Sequence, residues 1–409
     1  MSCLFKTKRR ATMSMVEERI SELQVSSITA RTGNTERSSA RVDNSVGVDE
    51  QSASPKRPFS FGGTSLSTTL HSRWDVPMKV ASMRAITFDQ DYNDRGYDLP
   101  TPKPLTYSSV KGSNLNMEWS ELENVMFFVD GGNNWLFSAD LNGKPVVVKT
   151  IKPKCANMAQ AILELEKEVE VHAKLSHNNI VELVGAGIGS KGQRFLVLEK
   201  LDGGTLSNFL DGGKKEPSRK KKASKPMFTY CEILNHARSL ALALQYCHRH
   251  AVPDSMILHR DLKPDNIAFT SDGILKLLDF GLAKEVLHAS ADSNCVHEMS
   301  GKTGSYRYMA PEVGQTKPYN HKADVYSYGL ILWAMASQER PLEGMVFGSI
   351  LLKVWKGGER PPLPKNWPED WSSLIEKCWS PSVEDRPNFD QILLTLDSLI
   401  ASEPMRRKN

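Results

Sequence analysis

The sequence predicts an α+β fold in two unequal lobes: a small lobe built on an antiparallel β-sheet with one helix, and a larger, mostly helical lobe. Three observations lead there. Short β-branched runs separated by turn residues fill the stretch from Val125 to Leu198. Helical apolar spacing takes over after about residue 228. Strands first and helices second is the order of an α+β domain rather than of alternating βα units.

Residues 1–118 are rich in Ser, Thr, Arg, Asn and Asp, and only Val16 to Val25 carries a helical spacing, through Val16, Ile20 and Leu23. Such a composition cannot bury enough apolar surface to offset the entropy of ordering, so a mostly disordered Ser/Thr-rich tail is expected. Three stretches in it read as phosphoacceptor sites: Arg9-Arg10-Ala11-Thr12, Ser54-Pro55-Lys56-Arg57 and Thr101-Pro102.

The texture changes at Trp119, and one domain is expected over 119–402, with a short basic tail at 403–409. Val125 to Val129 and Pro145 to Lys149 read as strands joined through the turn Leu141-Asn142-Gly143-Lys144. A helix is expected over 159–175, then strands around Glu182-Leu183-Val184 and Phe195 to Leu198. Ile233, Ala237, Leu240, Ala241 and Leu244 line one face of a long buried helix, and Val325 to Ala336 is apolar nearly all round. The run Lys214 to Lys222 reads as a solvated basic loop insertion at about 211–226.

The 40% hydrophobic content of the 409 residues suffices for a sizeable core, and a net charge of +4 is too mild to imply nucleic acid or membrane. Six scattered cysteines with no CxxC pair point to reduced thiols, hence a cytoplasmic location with the nucleus also open. Neither a secretory leader nor a run of ~18 apolar residues is present, so a soluble, intracellular protein is expected.

The chemistry-bearing residues come in a fixed order. Lys149 closes an apolar β run. In the following helix Ile162, Leu165, Val169 and His172 mark the packed face, and Glu168 borders it, where a carboxylate could hold that amine. His259-Arg260-Asp261-Leu262-Lys263-Pro264-Asp265-Asn266 offers a proton acceptor in Asp261, a cation in Lys263 and a neutral oxygen in Asn266. Leu277-Leu278-Asp279-Phe280-Gly281 sets a carboxylate after an apolar strand, and Ala310-Pro311-Glu312 closes a loop of about thirty residues. Together these suit phosphoryl transfer from Mg²⁺-ATP, with Asn266 and Asp279 as metal ligands. A lone Asp-Phe-Gly is a weak signal; the whole set in order is a strong one.

The segment from about 125 to 400 resembles a eukaryotic protein kinase domain. Gly304 to Glu312, Asp324-Val325-Tyr326-Ser327-Tyr328-Gly329, and Cys378-Trp379 ahead of Arg386-Pro387 are similar to the tyrosine-kinase-like group of serine/threonine kinases. The resemblance implies a bilobal kinase fold, ATP with Mg²⁺ or Mn²⁺, and protein substrates. It makes Asp261, Lys263, Lys149, Glu168, Asn266 and Asp279 catalytic. It assigns Val129, Gly131, Gly132, Leu136, Val147, Lys149, Leu198, Glu199, Leu201, Thr205, Ala268 and Asp279 to the nucleotide. Leu198 would be the gatekeeper, and Glu199 and Leu201 would offer backbone groups to adenine. Asp324 would support the catalytic loop, and Arg386 would pair with Glu312. His259, Phe280, Leu183 and His172 would stack between the lobes, with His172 replacing an aliphatic residue and leaving that column weaker or pH-sensitive.

Lys263 marks serine/threonine rather than tyrosine targets, and the Ser305 hydroxyl would bond Asp261 and Lys263. Arg260 implies a phosphate on the activation loop, with Ser300 and Thr303 as acceptors for an upstream kinase. Two departures stand out. The glycine-rich loop falls on Val129-Asp130-Gly131-Gly132-Asn133-Asn134-Trp135-Leu136, where only the middle glycine survives. Val147 stands where these kinases carry Ala, and Ala268 where they carry a larger aliphatic, so the adenine slot is expected to shift towards the large lobe at constant thickness. Against the active kinase stands a pseudokinase scaffold, favoured only by the altered loop. Nucleic-acid binding through the lysine run lacks interleaved aromatics.

Overall fold

The computed structural model describes residues 114–153, 155, 157–189, 192–212, 228–287 and 296–406. The helix at Val16 to Val25, the three tail phosphoacceptor stretches and the run Lys214 to Lys222 lie outside the described residues.

Strands β1 (Asn114–Met117), β2 (Glu123–Asp130), β3 (Asn134–Leu141), β4 (Lys144–Ile151), β5 (Leu183–Ile188) and β6 (Arg194–Glu199) form one sheet in the order β1-β5-β6-β4-β3-β2. Every pairing is antiparallel except β1 with β5. The Asn142-Gly143 turn closes β3 onto β4, with Leu141 paired to Lys144, as the sequence leads one to expect. Helix α1 (Met158–His172) crosses between β4 and β5, capped by Asn157 Oδ1 accepting from the Gln160 N–H at 3.2 Å. It ends three residues before the expected 175: the next N–H groups, on Lys174 and Leu175, tighten onto Val171 and His172 by i→i−3 bonds.

The sheet has two apolar faces. Leu183, Ala186 and Leu196 meet α1 through Leu165, Ala161 and Val169. Phe137, Val146, Val148, Phe195 and Val197 form the outer cluster. β1 lies in the stretch read from sequence as tail. Its Leu115 joins the α1 cluster and its Met117 the outer one, so the ordered domain reaches back to at least residue 114. Gly187 makes this docking feasible: a Cβ there would sit 1.9 Å from the Met117 carbonyl oxygen.

The large lobe holds α2 (Leu206–Gly212), α3 (Tyr230–Arg249), β7 (Ser255–Leu258), β8 (Ile267–Phe269), β9 (Leu275–Leu277) and β10 (Lys284–Leu287). It continues with α4 (Pro311–Gly314), α5 (Lys322–Ser337), α6 (Phe347–Ser349) leading into a π-helix at Ile350–Lys356, α7 (Glu369–Cys378) and α8 (Phe389–Arg406). A Thr229–Glu232 capping box starts α3, whose expected apolar face is buried throughout. From Lys322 to Ala336 every residue of α5 is buried. α8 continues to Arg406, past the expected boundary at 402. Two small ladders, β8–β9 and β7–β10, carry the segments that flank the cleft.

Candidate active site

Cross-strand registry explains how the small lobe presents its side chains. Val129 pairs with Leu136, Leu136 with Lys149, Val147 with Leu198, and Lys149 with Leu196. Paired residues share a face, so Val129, Leu136, Val147, Lys149 and Leu198 all lie on the sheet face that carries Lys149. That face meets Asp279 of the large lobe: Lys149 Nζ donates to Glu168 Oε2 at 2.7 Å and to Asp279 Oδ1 at 2.9 Å. Burial acts to lower the Lys149 pKa, but the two carboxylates outweigh it and hold the ammonium charged. Burial would raise Asp279, yet Lys149 brings its carboxyl down to about 2. Burial pushes Glu168 up to about 7 against the pull of Lys149. The 2.7 Å contact has the length of a charge-assisted bond, and we read the pair as ionised.

The catalytic loop hangs from Asp324. Its Oδ2 accepts the His259 N–H and its Oδ1 the Arg260 N–H, both at 2.9 Å. Arg260 sits at φ 69° and Asp279 at φ 62°, left-handed conformations that cost of order 1–3 kcal/mol each and are held here by surrounding bonds. Asp261 is buried, and its Oδ2 accepts from Lys263 Nζ at 2.5 Å. Asn266 Nδ2 donates to the Asp261 carbonyl at 2.9 Å, which leaves its amide oxygen free to face a cation. Phe280 lies 5.1 Å from the His172 ring and 5.0 Å from that of His259, which joins three of the four members of the expected column. Burial pushes His172 down to about 4, so the expected pH sensitivity falls below neutral pH. Arg386 grips Glu312 through two bonds, at 2.6 and 3.0 Å.

One expectation changes at the level of atoms, and the other site residues are placed as follows. The Ser305 backbone N–H, not its hydroxyl, bonds Asp261, at 2.8 Å to Oδ1. The Thr205 hydroxyl is engaged with Asn208 Oδ1 at 2.8 Å, as part of the turn that starts α2. The Glu199 N–H is taken by the Glu182 carbonyl at 3.1 Å, and its side chain by Lys276 at 2.6 Å. The backbone groups of Leu201 have no partner among the described residues, and the bond at Glu199 engages its N–H rather than its carbonyl. The loop over the cleft is a tight hairpin closed by the Gly131 N–H donating to the Asn134 carbonyl at 3.0 Å, with Gly132 and Asn133 at its tip. Lys152 secures it from β4's end, with Nζ 2.5 Å from Asp130 Oδ1 and its N–H on the Asn133 carbonyl. Ala268, buried on β8, bridges to Thr205.

Sequence reasoning passed over His248, whose Nε2 is 2.8 Å from Asp324 Oδ2. Its place four residues after Leu244, on the apolar face of α3, was the available signal, since a polar residue on a packed face needs a partner. Ser300 and Thr303 prove unequal. The Arg260 guanidinium donates to Ser300 Oγ at 2.6 Å, while Thr303 Oγ1 only reaches Ser300, at 3.0 Å to Oγ.

The family model described as protein tyrosine and serine/threonine kinase matches residues 132–396. The chain belongs to the protein kinase family. It is 28% identical over 320 residues to serine/threonine-protein kinase STY17 of Arabidopsis thaliana, covering 78% of this chain and 51% of that one. It is 33% identical over 308 residues to serine/threonine-protein kinase VIK of the same plant, covering 74% and 66%. With mitogen-activated protein kinase kinase kinase 7 of Drosophila melanogaster it shares 33% over 240 residues, 58% of this chain and 32% of that one. These are kinases of tyrosine-kinase-like type. The chain spans between about a third and two thirds of the length of these relatives.

Kinases of this family use ATP with a divalent cation, and the donor set fits both. Asp279 is 40% exposed and its Oδ1 alone is engaged by Lys149, while Asn266 offers an amide oxygen. Among the described residues no group of three or more His, Cys, Asp or Glu could hold a metal alone. Two oxygen donors sharing a cation with nucleotide phosphates is the usual arrangement for Mg²⁺.

Proposed function

We propose that the chain is an active Mg²⁺-ATP-dependent kinase that phosphorylates Ser and Thr hydroxyls of proteins in the cytoplasm or nucleus. The observation that carries this is Lys149 Nζ bonded at once to Glu168 and Asp279, which joins β4, α1 and the large lobe in one charged contact. The substrate hydroxyl oxygen forms the new P–O bond as the bond from the γ-phosphorus to its bridging oxygen breaks, and the hydroxyl proton passes to Asp261. Lys263, 2.5 Å from Asp261, sets positive charge beside the transferring group. Asn266 and Asp279 would hold a bound divalent cation, which would supply charge neutralisation on the phosphates. Leu201 offers the adenine edge a donor and an acceptor.

Regulation runs through Ser300. An upstream kinase, or the chain itself, places a phosphate there, where Arg260 already holds the hydroxyl.

The test incubates purified protein with ATP, Mg²⁺ and a generic basic protein beside Asp261→Asn, and maps phosphosites by mass spectrometry. Phosphoserine and phosphothreonine are expected, with the variant slower by about 10²–10⁴-fold. Transfer no greater than that of a folded Asp261→Asn variant would favour the scaffold reading suggested by the altered hairpin loop. Tyrosine-only transfer would overturn the Ser/Thr assignment.

A further inference from the structure

Away from the nucleotide cleft, a cavity of about 760 Å³ lies between α7 and α8, bounded by the first residue of α5 and by residues 384–388. Asp370, Ser373 and Lys377 face it from α7, and Gln391, Leu394 and Ser398 from α8. Within each set the residues stand three and four apart, which puts them on one side of their helix. Cavities of this size hold small molecules.

Its floor carries a cation without a counter-charge. Lys322 opens α5 and is only 6% exposed. Of the three N–H donors on its ammonium, one goes to the Arg386 carbonyl. Among the described residues no carboxylate lies within ion-pair distance of it, and Glu384 acts on it only from farther off. The Arg386 guanidinium does not compete for an anion, because it is committed to Glu312 and to the Ser380 and Lys322 carbonyls. Buried charges are paired as a rule, so an ammonium with one neutral acceptor, at the wall of an open cavity, calls for an anion.

We infer that this cavity binds a small hydroxylated anion, with one phosphate or carboxylate group on Lys322 and a polyol body along α7 and α8. Lys377 adds a second cation on the wall, with no ion-pair partner among the described residues. At the start of α8 the side-chain oxygens of Asn388 and Gln391 each accept the other's backbone N–H at 2.9 Å, which leaves both amide NH₂ groups to donate. Ser373 and Ser398 bring hydroxyls, and Leu394, 72% exposed, offers an apolar surface to C–H groups. Asp370, Glu384 and Asp385 also line the cavity. Their carboxylates accept from hydroxyls and repel a polyanion, which selects against ATP and nucleic acid. The cavity is separate from the nucleotide cleft yet joined to it through two contacts. α5 carries Asp324, from which the catalytic loop hangs, and Arg386 grips Glu312.

The test titrates the full chain, by calorimetry in a phosphate-free buffer, with inositol monophosphate and with glucuronate. At least one of them is expected to bind one to one and about tenfold or more tighter than inorganic phosphate, while uncharged inositol gives no heat. Saturating Mg²⁺-ADP should leave that affinity unchanged. Lys322→Gln should weaken binding by about 10–100-fold. Ser398→Trp and Lys377→Glu, both at exposed positions, decide the matter if Lys322→Gln does not fold. The first should abolish binding by filling the cavity, and the second should weaken it by about tenfold. Tight binding of inositol monophosphate alone assigns a phosphate to Lys322, and of glucuronate alone a carboxylate. Probes no tighter than inorganic phosphate overturn the inference. Binding that Mg²⁺-ADP displaces lies in the nucleotide cleft and overturns it too, as does binding that both Ser398→Trp and Lys377→Glu leave unchanged. The kinase reading stands or falls separately, because every readout here is binding and none is phosphoryl transfer.

Discussion

At His172 the packing demands a neutral ring. Nε2 donates to the Val181 carbonyl at 2.7 Å, Nδ1 is buried without a partner, and burial holds the pKa near 4. Burial likewise lowers His236 to about 4 and His321 to about 3. Each ring binds its proton more readily unfolded, near pH 6.5, than folded. The unfolded state therefore carries more protons in between, and stability is full above about 6.5 and falls as pH drops towards 4. The slope is up to about 1.4 kcal/mol per pH unit for each ring. His172→Leu should flatten the acid limb of a melting-temperature profile by one proton. At pH 7.5 it should cost about 1–2 kcal/mol, because the Val181 carbonyl loses its donor. An unchanged acid slope in that variant would show that His172 does not titrate with unfolding. Position and identity of such residues were legible, because phosphoryl transfer tolerates few substitutes for Lys149, Asp261 or Asp279. Ser305 was not legible at the level of atoms: a sequence cannot tell whether a residue acts through its hydroxyl or its N–H. The paired change at Val147 and Ala268 is testable in the same terms. Val147→Ala should weaken ATP binding by opening a gap, and Ala268→Leu added to it should restore binding, whereas additive losses in ATP titrations would refute a displaced slot.

Short elements escaped the sequence where their stability comes from elsewhere. Asn114-Leu115-Asn116-Met117 offers only two alternating apolar residues, too few to stand out, and β1 exists because β5 presents it a free edge and two apolar clusters. The end of α1 was overshot for a related reason: apolar residues continue past His172 into Ala173 and Leu175, which are buried in a turn instead. Gly187 gives β1 a sharp test. A Cβ at 1.9 Å from the Met117 carbonyl cannot be absorbed, so Gly187→Ala should expel the strand and expose Leu115 and Met117. The loss, read by urea unfolding, should be roughly 3–5 kcal/mol. In a chain trimmed to start at residue 118 the Met117 clash is gone and the nearest atom left is on the Phe195 ring, 2.8 Å away, so the same substitution should cost less than about 1.5 kcal/mol. Equal costs in the two backgrounds would mean that the clash lies with Phe195 and that β1 contributes little.

At the scale of the whole molecule, three cations from three places lie close enough to act on one another, and one of them holds Ser300. Lys167 comes from α1, Arg260 from the catalytic loop and Lys284 from β10. Burial first, then Arg260 and Lys284, lower the Lys167 pKa, while Glu170 pulls it the other way, so the two cations add to a shift that burial leads. The Arg260 Nε is buried without a partner as well. α1 also carries Glu168, the residue after Lys167, so the helix that feels this repulsion is the one that holds Lys149. A phosphate on Ser300, with a charge of about −1.5 to −2, would convert a repulsive contact between lobes into an attractive one. Phosphorylation should therefore raise the melting temperature, by about 2–4 °C for each kcal/mol gained, and the rise should shrink as salt is added. Lys167→Gln works in opposite directions on the two forms. It should raise the melting temperature of the unphosphorylated protein, by relieving repulsion, and reduce the gain on phosphorylation. Melting curves of both forms in both backgrounds, with Ser300→Ala as the form that cannot be modified there, measure the coupling directly. If Lys167→Gln shifts the two forms equally, α1 does not sense the phosphate, and regulation through Ser300 would have to act on the large lobe alone.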